Sequence, residues 1–427
     1  MGGAVGLAAA FGLVATGLTA VPAGAGLAPS EPACLTPDAS SVVTWNGVAA
    51  DSMGTDALLS PPMMAVGMAY AQAAVYNAVM GIDGTYELYK WSATGPAEAS
   101  IEAAVAAAAR GVLLSYFPGA TDRVETAYTD ALAAITDGPA KDAGVRYGER
   151  AANHLINQRA GDGWMGPLVW DRPEAPGVWR PTPPSFAPYA APWLGDMTPF
   201  LIRHDDQFRP GPPPELDSEQ YTEDFLEVAE LGSLTSATRT AEQTETANFF
   251  GGHLTIQLHE GYRDHVTRHC LDVADAARYF GVAALNTGDA VIAGWDAKFE
   301  YGRWRPVTAI QLADTDGNPD TTADPSWTPL LVTPAHPDHV SGHTISIGAV
   351  TKALKLLDGT GHLDLNLSST VTSTTRHYEK GKALREDGID ARVWAGIHTR
   401  AADEVGNDVG REIAKWTSTR YFGETTS

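Results

Sequence analysis

Cysteine is nearly absent: Cys34 and Cys270 are the two in 427 residues. That excludes a disulfide-dense scaffold and a cysteine-rich zinc module, although export would permit one bridge tying the N-terminal arm to a helix near the middle. Positive charge is also scarce, with 29 Lys and Arg against 52 Asp and Glu and a formal net charge of -23. Nucleic acid and anionic membrane surfaces are therefore excluded as main partners. A local anion site is not, because a pocket's potential is set by the few cations lining it. Strand-like alternation is missing, and no internal repeat is convincing. Apolar runs long enough to anchor a chain are missing too. Pro61–Ile82 is uncharged, but it is dominated by Ala, Met and Gly and carries Gln72 and Asn77. It reads as a buried core helix with close small-residue contacts, and no stable membrane insertion is expected.

What is present is mostly helical patterning. Residues 1–25 read as a signal peptide, with an apolar stretch at Val5–Ala20 and the small-x-small site Ala23-Gly24-Ala25, though without a basic n-region. They imply a secreted, extracellular protein. Residues 26–60 read as an extended N-terminal arm. Residues 61–215 form an N-terminal helical region in which Ile101, Val105, Ala108 and Val112 fall at helical spacing. Asp122–Ile135 and Ala140–Ala160 follow as helices. Gly161–Pro214 is dense in Pro and Trp and reads as a long ordered loop wrapped on the bundle, since Trp164, Trp170, Trp179 and Trp193 bring enough apolar area to pin it. Residues 216–427 form a C-terminal helical domain, with a long run from Ser236 through Phe280 and a last helix at Thr399–Trp416. At this length the chain makes one large domain or two fused helical bundles, all-α in either case.

Three short clusters in the C-terminal part carry chemistry. Lys298 and Arg305 are seven apart, a spacing that would put them on one helix face about 10 Å apart, with Pro306 turning Arg305 toward a pocket at a helix end. Ser341-Gly342-His343 precedes Thr344–Val350, which reads as a helix. A hydroxyl, a bare glycine amide and an imidazole then sit at a helix N-terminus, where free amides attract anions. Arg392 and His398, six apart, converge only if the chain breaks between them, which Gly396 permits. Together the clusters surround one oxyanion.

This pattern resembles the superfamily shared by vanadium-dependent haloperoxidases and type 2 phosphatidic acid phosphatases. Its signature is Lys-x6-Arg-Pro, then Pro-Ser-Gly-His, then Arg-x5-His. All three parts occur in order, with Val340 in place of the usual Pro and Ala391 in place of the usual Ser before Arg392. Ala65–Tyr89, Glu98–Pro118, Gly177–Leu201 and Leu216–Phe250 look like its bacterial haloperoxidase-like branch. The resemblance implies two fused helical bundles, with vanadate as cofactor and hydrogen peroxide, halide and a small organic substrate as partners. It implies that Lys298, Arg305, Ser341, Gly342 and Arg392 bind the vanadate oxygens. His398 is then the metal ligand, and His343 the acid–base. Trp295 is a candidate pocket wall. His336 stands where fungal chloroperoxidases carry Phe and algal bromoperoxidases carry His, which implies that bromide is oxidised well and chloride poorly.

Two other activities fit the same motifs. A phosphatase would use His398 as nucleophile through a phosphohistidine, with His343 protonating the leaving group. A non-catalytic secreted protein would keep the pocket alone. Phosphatases place an Asp four residues after the last His; here Asp403 is five after it, so a His398–Asp403 relay is not implied. Outside the clusters, His265 and His269 stand at i, i+4, a zinc spacing. The sequence indicates no third ligand, and a polar helix face is the simpler reading. Asp314–Asp324 is a polar loop without the register of a calcium site.

Overall fold

The computed structural model describes residues 34–425. The signal-peptide reading of residues 1–25 lies outside them. The described residues form thirteen α-helices and one hairpin, with one π-helical turn and four short 3-10 turns between them. No helix among the described residues is long and apolar enough to cross a membrane.

The N-terminal elements are α1 (Pro37–Asp51), α2 (Pro61–Asp83), α3 (Ile101–Tyr116), α4 (Thr121–Ala134) and α5 (Pro139–Gln158). The expected extended arm is corrected by α1. Thr36 caps it through Oγ1, Pro37 supplies a preset first turn, and Val42, Trp45 and Ala49 are buried. The Thr-Pro pair that reads as a loop signal is here a helix start. Just ahead of it, Cys34 is disulfide-bonded to Cys270. The uncharged run from Pro61 is α2, buried from Met64 to Gly81.

Residues 161–214 form an irregular connection with two short 3-10 turns. It is pinned from both sides. Trp164 meets Trp193 edge-on at 4.9 Å and Trp170 meets Trp179 at 5.9 Å. From beneath, the buried Asp289 carboxylate accepts the backbone N–H groups of Phe200, Leu201 and Ile202 at 2.5, 2.7 and 2.7 Å.

The run expected from Ser236 is divided into α7 (Ala241–Phe249), α8 (Leu254–Arg268) and α9 (Val273–Tyr301), after α6 (Glu219–Leu231). Gly251-Gly252 makes the first break. The second falls at Cys270, whose backbone is left-handed, with φ 52. α10 (Pro306–Gln311), α11 (Gly342–Asp358), α12 (Gly381–Trp394) and α13 (Arg400–Thr417) complete the helices. α9 is buried from Ala274 almost to its end and packs on α2 along one side and α11 along the other. It is the helix the two bundles share.

As the all-α expectation implies, sheet among the described residues is confined to β1 (Leu365–Ser369) and β2 (Thr374–Tyr378), an antiparallel pair in register Leu365↔Tyr378 to Ser369↔Thr374. Five-residue strands are too short to announce themselves by alternation. Leu365 and Leu367 are buried where β1 packs on α8.

Candidate active site

Lys298 lies in the last turn of α9. Gly302, with φ 55, ends that helix, and a side chain on it would run into the Trp170 ring. The chain then extends to Arg305, the residue capping α10, with Pro306 at its first helical position. The expectation that Lys298 and Arg305 share one helix face is therefore corrected. They meet because the helix stops between them.

Both are fully buried. Lys298 Nζ donates to the carbonyls of Pro337 and Asp338 at 2.5 and 3.1 Å. Arg305 donates to the carbonyls of His336 at 2.6 Å and Ile397 at 2.5 Å. Its Nη1 lies 3.0 Å from His398 Nε2, and its Nη2 2.9 Å from His336 Nδ1. One guanidinium thus ties the segment before α11 to the segment after α12.

Ser341 caps α11, as the sequence leads one to expect. A Cβ on Gly342 would stand 2.8 Å from the Trp295 ring, so only glycine keeps its amide open beneath that indole. His343 follows in the first turn. It is half-buried, yet its Nε2 is enclosed without a partner, and its ring stands edge-on to Phe250 at 5.8 Å. α12 ends at Trp394, and Gly396, with φ 76, turns the chain so that Arg392 and His398 converge. Arg392 Nη1 donates to the Phe250 carbonyl at 3.1 Å, while its Nε is buried and unpartnered.

Asp338 is the residue that the sequence reading missed. Its Oδ1 lies 2.6 Å from His398 Nδ1, and its Oδ2 accepts from the Thr399 hydroxyl at 2.7 Å. With Nδ1–H donated to the carboxylate, the lone pair of His398 falls on Nε2. Asp403 does not contact His398. Its carboxyl is buried beside Ser341, and burial pushes its pKa well above the ordinary range.

A cavity of about 260 Å³ opens onto Trp295, His336, Gly342, His343, Arg392 and His398. Pro61 and Pro62 from the start of α2 and Leu254 and Thr255 from the start of α8 supply much of its remaining wall. No motif marks these wall residues, because they become neighbours only through packing.

Burial dominates the electrostatics. It drives Lys298 well below its usual pKa, helped by Arg305, and lowers Arg305 and Arg392 to about 10. It also holds His336, His343 and His398 well below 6.5, with nearby cations adding to it, so the three imidazoles are neutral near pH 7. Lys298, Arg305 and Arg392 outnumber the buried acids Asp338 and Asp403, and burial drives Asp403 toward its neutral acid, so positive charge is left in excess, an arrangement that an anion relieves. Of the residues singled out in the sequence, Trp295, His336, Gly342, His343, Arg392 and His398 line this cavity, whereas Lys298, Arg305 and Ser341 are buried and do not line it.

Residues 278–423 match the family model of the VCPO second helical-bundle domain. A curated relative, the vanadium chloroperoxidase of Curvularia inaequalis, is 24% identical over 226 residues, which span 43% of this chain and 36% of that protein. Among solved structures, a bacterial vanadium-dependent iodoperoxidase has a TM-score of 0.78 at 22% identity, covering 91% of this chain and 98% of that one. A holo-type bacterial vanadium-dependent chloroperoxidase has a TM-score of 0.67 at 18% identity, covering 86% and 93%. The stretch that carries the three clusters thus matches the VCPO second helical-bundle domain, and along most of its length the chain shares the fold of these two bacterial structures.

Proposed function

We propose that the protein is an exported vanadium-dependent haloperoxidase, using hydrogen peroxide to oxidise halide and so halogenate small organic molecules. The observation that carries this reading is the excess of buried positive charge around a cavity in which Arg392 Nε and His343 Nε2 lack partners. An orphaned buried donor such as Arg392 Nε is costly, and an oxyanion would satisfy it, while His343 Nε2 is left open as an acceptor. These residues suit vanadate. Lys298, Arg305 and Arg392 would hold its oxygens, the Ser341 hydroxyl and Gly342 amide would add hydrogen bonds, and His398 Nε2 would bind the metal. Bound vanadate supplies a Lewis acid that activates peroxide toward a halide.

The chain's own groups do the rest. Asp338 fixes the His398 tautomer. Neutral His343 accepts a peroxide proton at Nε2 and can return one later. Trp295, Pro61, Pro62 and Leu254 form an apolar wall that limits water. The Cys34–Cys270 disulfide supports residence in an oxidising compartment.

The test is bromination of a phenolic dye by the vanadate-loaded protein with peroxide, alongside measurement of retained vanadium. His398→Ala is expected to lose both metal and turnover. His343→Ala should keep vanadium and lose about 10²–10⁴-fold in rate. Full activity and vanadium retention in His398→Ala would overturn the reading. The Asp338–His398 pair would equally orient a nucleophilic histidine, and this favours the phosphatase as the second reading. Fast aryl phosphate hydrolysis by the vanadate-free protein, with no halogenation after loading, would select it.

A further inference from the structure

At the far end of α8 from the cavity, the structure supplies the third group that the His265/His269 spacing lacked. The two rings lie one helical turn apart with centroids 4.3 Å from each other. Asp364, the residue before β1, brings its Oδ2 to 2.5 Å from His269 Nε2. One nitrogen from each histidine and one Asp364 carboxylate oxygen all lie within 4.8 Å of one another.

The surroundings fix these groups in ligand-ready form. His265 Nδ1 is 3.0 Å from the Asp364 carbonyl, and its ring stacks on Tyr279 at 4.7 Å and 13°. Donation of Nδ1–H to that carbonyl puts the lone pair on Nε2, as is usual for a metal-bound histidine. Arg268 Nη1 braces both Asp364 oxygens at 3.1 Å, while its Nε donates to Asp264 at 2.7 Å. From β2, His377 Nδ1 stands 3.7 Å from Asp364 Oδ1, with Glu379 beyond it. Asp264, Asp364 and Glu379 outweigh the single charge of Arg268.

We propose that His265, His269 and Asp364 form a binding site for a divalent transition cation of zinc's class, with His377 and Glu379 flanking it. Two imidazoles and one carboxylate suit zinc, whereas calcium and magnesium select oxygen-rich sets. A fourth position is left to water. The bound ion joins the end of α8 to the β-hairpin, next to the Cys270 disulfide. It is a second cross-link at one corner of the fold and takes no part in the chemistry of the cavity.

The alternative is a metal-free network in which the His269–Asp364 hydrogen bond is sufficient by itself. Calorimetric titration of the metal-stripped, tag-free protein with zinc chloride decides between them. One zinc per chain is expected, with a thermal midpoint raised by the bound metal. His269→Ala and Asp364→Asn should each weaken binding by at least about tenfold, while His398→Ala binds zinc as the parent does. Cobalt(II) in place of zinc should give a tetrahedral visible spectrum that Asp364→Asn abolishes while its far-ultraviolet circular dichroism stays that of the parent. Absence of binding below millimolar zinc, or binding unchanged in both His269→Ala and Asp364→Asn, would overturn the site. None of these readouts depends on vanadate, so failure here leaves the proposed peroxidase activity untouched, and the reverse also holds.

Discussion

The two bundles solve the same packing problem and then part company over charge. In the N-terminal bundle α3 and α5 touch backbone to backbone, because a side chain on Gly144 or Gly148 would overlap the carbonyl oxygens of Ser100 or Ala104. In the C-terminal bundle α11 and α13 meet the same way, through Gly348 against Asn407 and Gly410 against Ile345. The N-terminal half buries Arg159 and Asp162 as a matched pair 2.6 Å apart, with the guanidinium also bonded to the carbonyls of Thr198 and Pro199. The C-terminal half buries Lys298, Arg305 and Arg392 with too few anions to match. A matched buried pair is architecture. Under the proposed function an unmatched one is a position held open for a ligand, and the close α11–α13 seam would hold Ser341 and Gly342 at that position.

The largest expected effect tests this contrast of charge. Asp162→Ala strips the partner from a buried cation and should cost about 3–5 kcal/mol of stability. Lys298→Met loses two hydrogen bonds to carbonyls but relieves the crowding with Arg305, so the vanadate-free protein should change by less than about 1 kcal/mol. Its vanadate affinity should fall by about 10–100-fold, the worth of a charged hydrogen bond. Chemical denaturation and vanadate titration of both variants check this. Equal destabilisation would erase the distinction between the halves.

The seams give the next effect. Gly148→Ala and Gly410→Ala each force a methyl against a carbonyl, with an expected cost of about 1–3 kcal/mol. Thermal melts should show similar losses. Only Gly410→Ala should also weaken vanadate binding, because α11 can yield only by moving its N-terminal turn. If Gly148→Ala weakens vanadate binding as much, the seams are not independent.

Much of this was legible in the sequence, and the misses share a cause. The helices of α2, α3, α5, α11 and α13 follow from local periodicity, and the three clusters from local spacing. Asp338 was missed although it lies three residues before Ser341, since nothing local says that a carboxylate there will face His398 Nδ1 across the fold. Asp364 reaches His269 over 95 residues of chain, a pairing that no spacing rule contains. The error over Lys298 and Arg305 was different in kind. Pro306 was read as ending the helix at Arg305, but Gly302, with φ 55, already ends it three residues earlier, and that stop signal was given less weight than the seven-residue spacing.

A smaller effect concerns specificity at the unmatched site. His336 is buried, its ring 4.9 Å from Trp295 and its Nδ1 accepting from Arg305. His336→Phe removes that acceptor and leaves Arg305 Nη2 free to reach further into the cavity. If the proposed activity holds, the chloride-to-bromide rate ratio should change severalfold in steady-state halogenation. An unchanged ratio in the folded, vanadium-loaded variant would make His336 a purely structural residue.

The smallest effect asks how far the charge imbalance reaches. Asp224 on α6 is 4% exposed, and burial, with Asp338 and Glu227 adding to it, raises its pKa to about 7. Gln220 donates to its Oδ1 at 3.2 Å. The folded state therefore keeps a proton that the unfolded chain releases near 3.8. Stability contributed here is lost as pH rises from about 4 to about 7, and the loss is complete above that. Asparagine cannot ionise but keeps the acceptor for Gln220. Asp224→Asn should thus stabilise the protein above pH 7 and make no difference near pH 4. A cavity of about 20 Å³ beside Asp224, Asp338 and Thr399 has room for one water, which softens the burial, so a gain of order 1 kcal/mol is expected. Denaturation midpoints across that pH range measure it. A gain independent of pH would mean that Asp224 is strained by shape rather than by charge, and that the imbalance stops at the cavity wall.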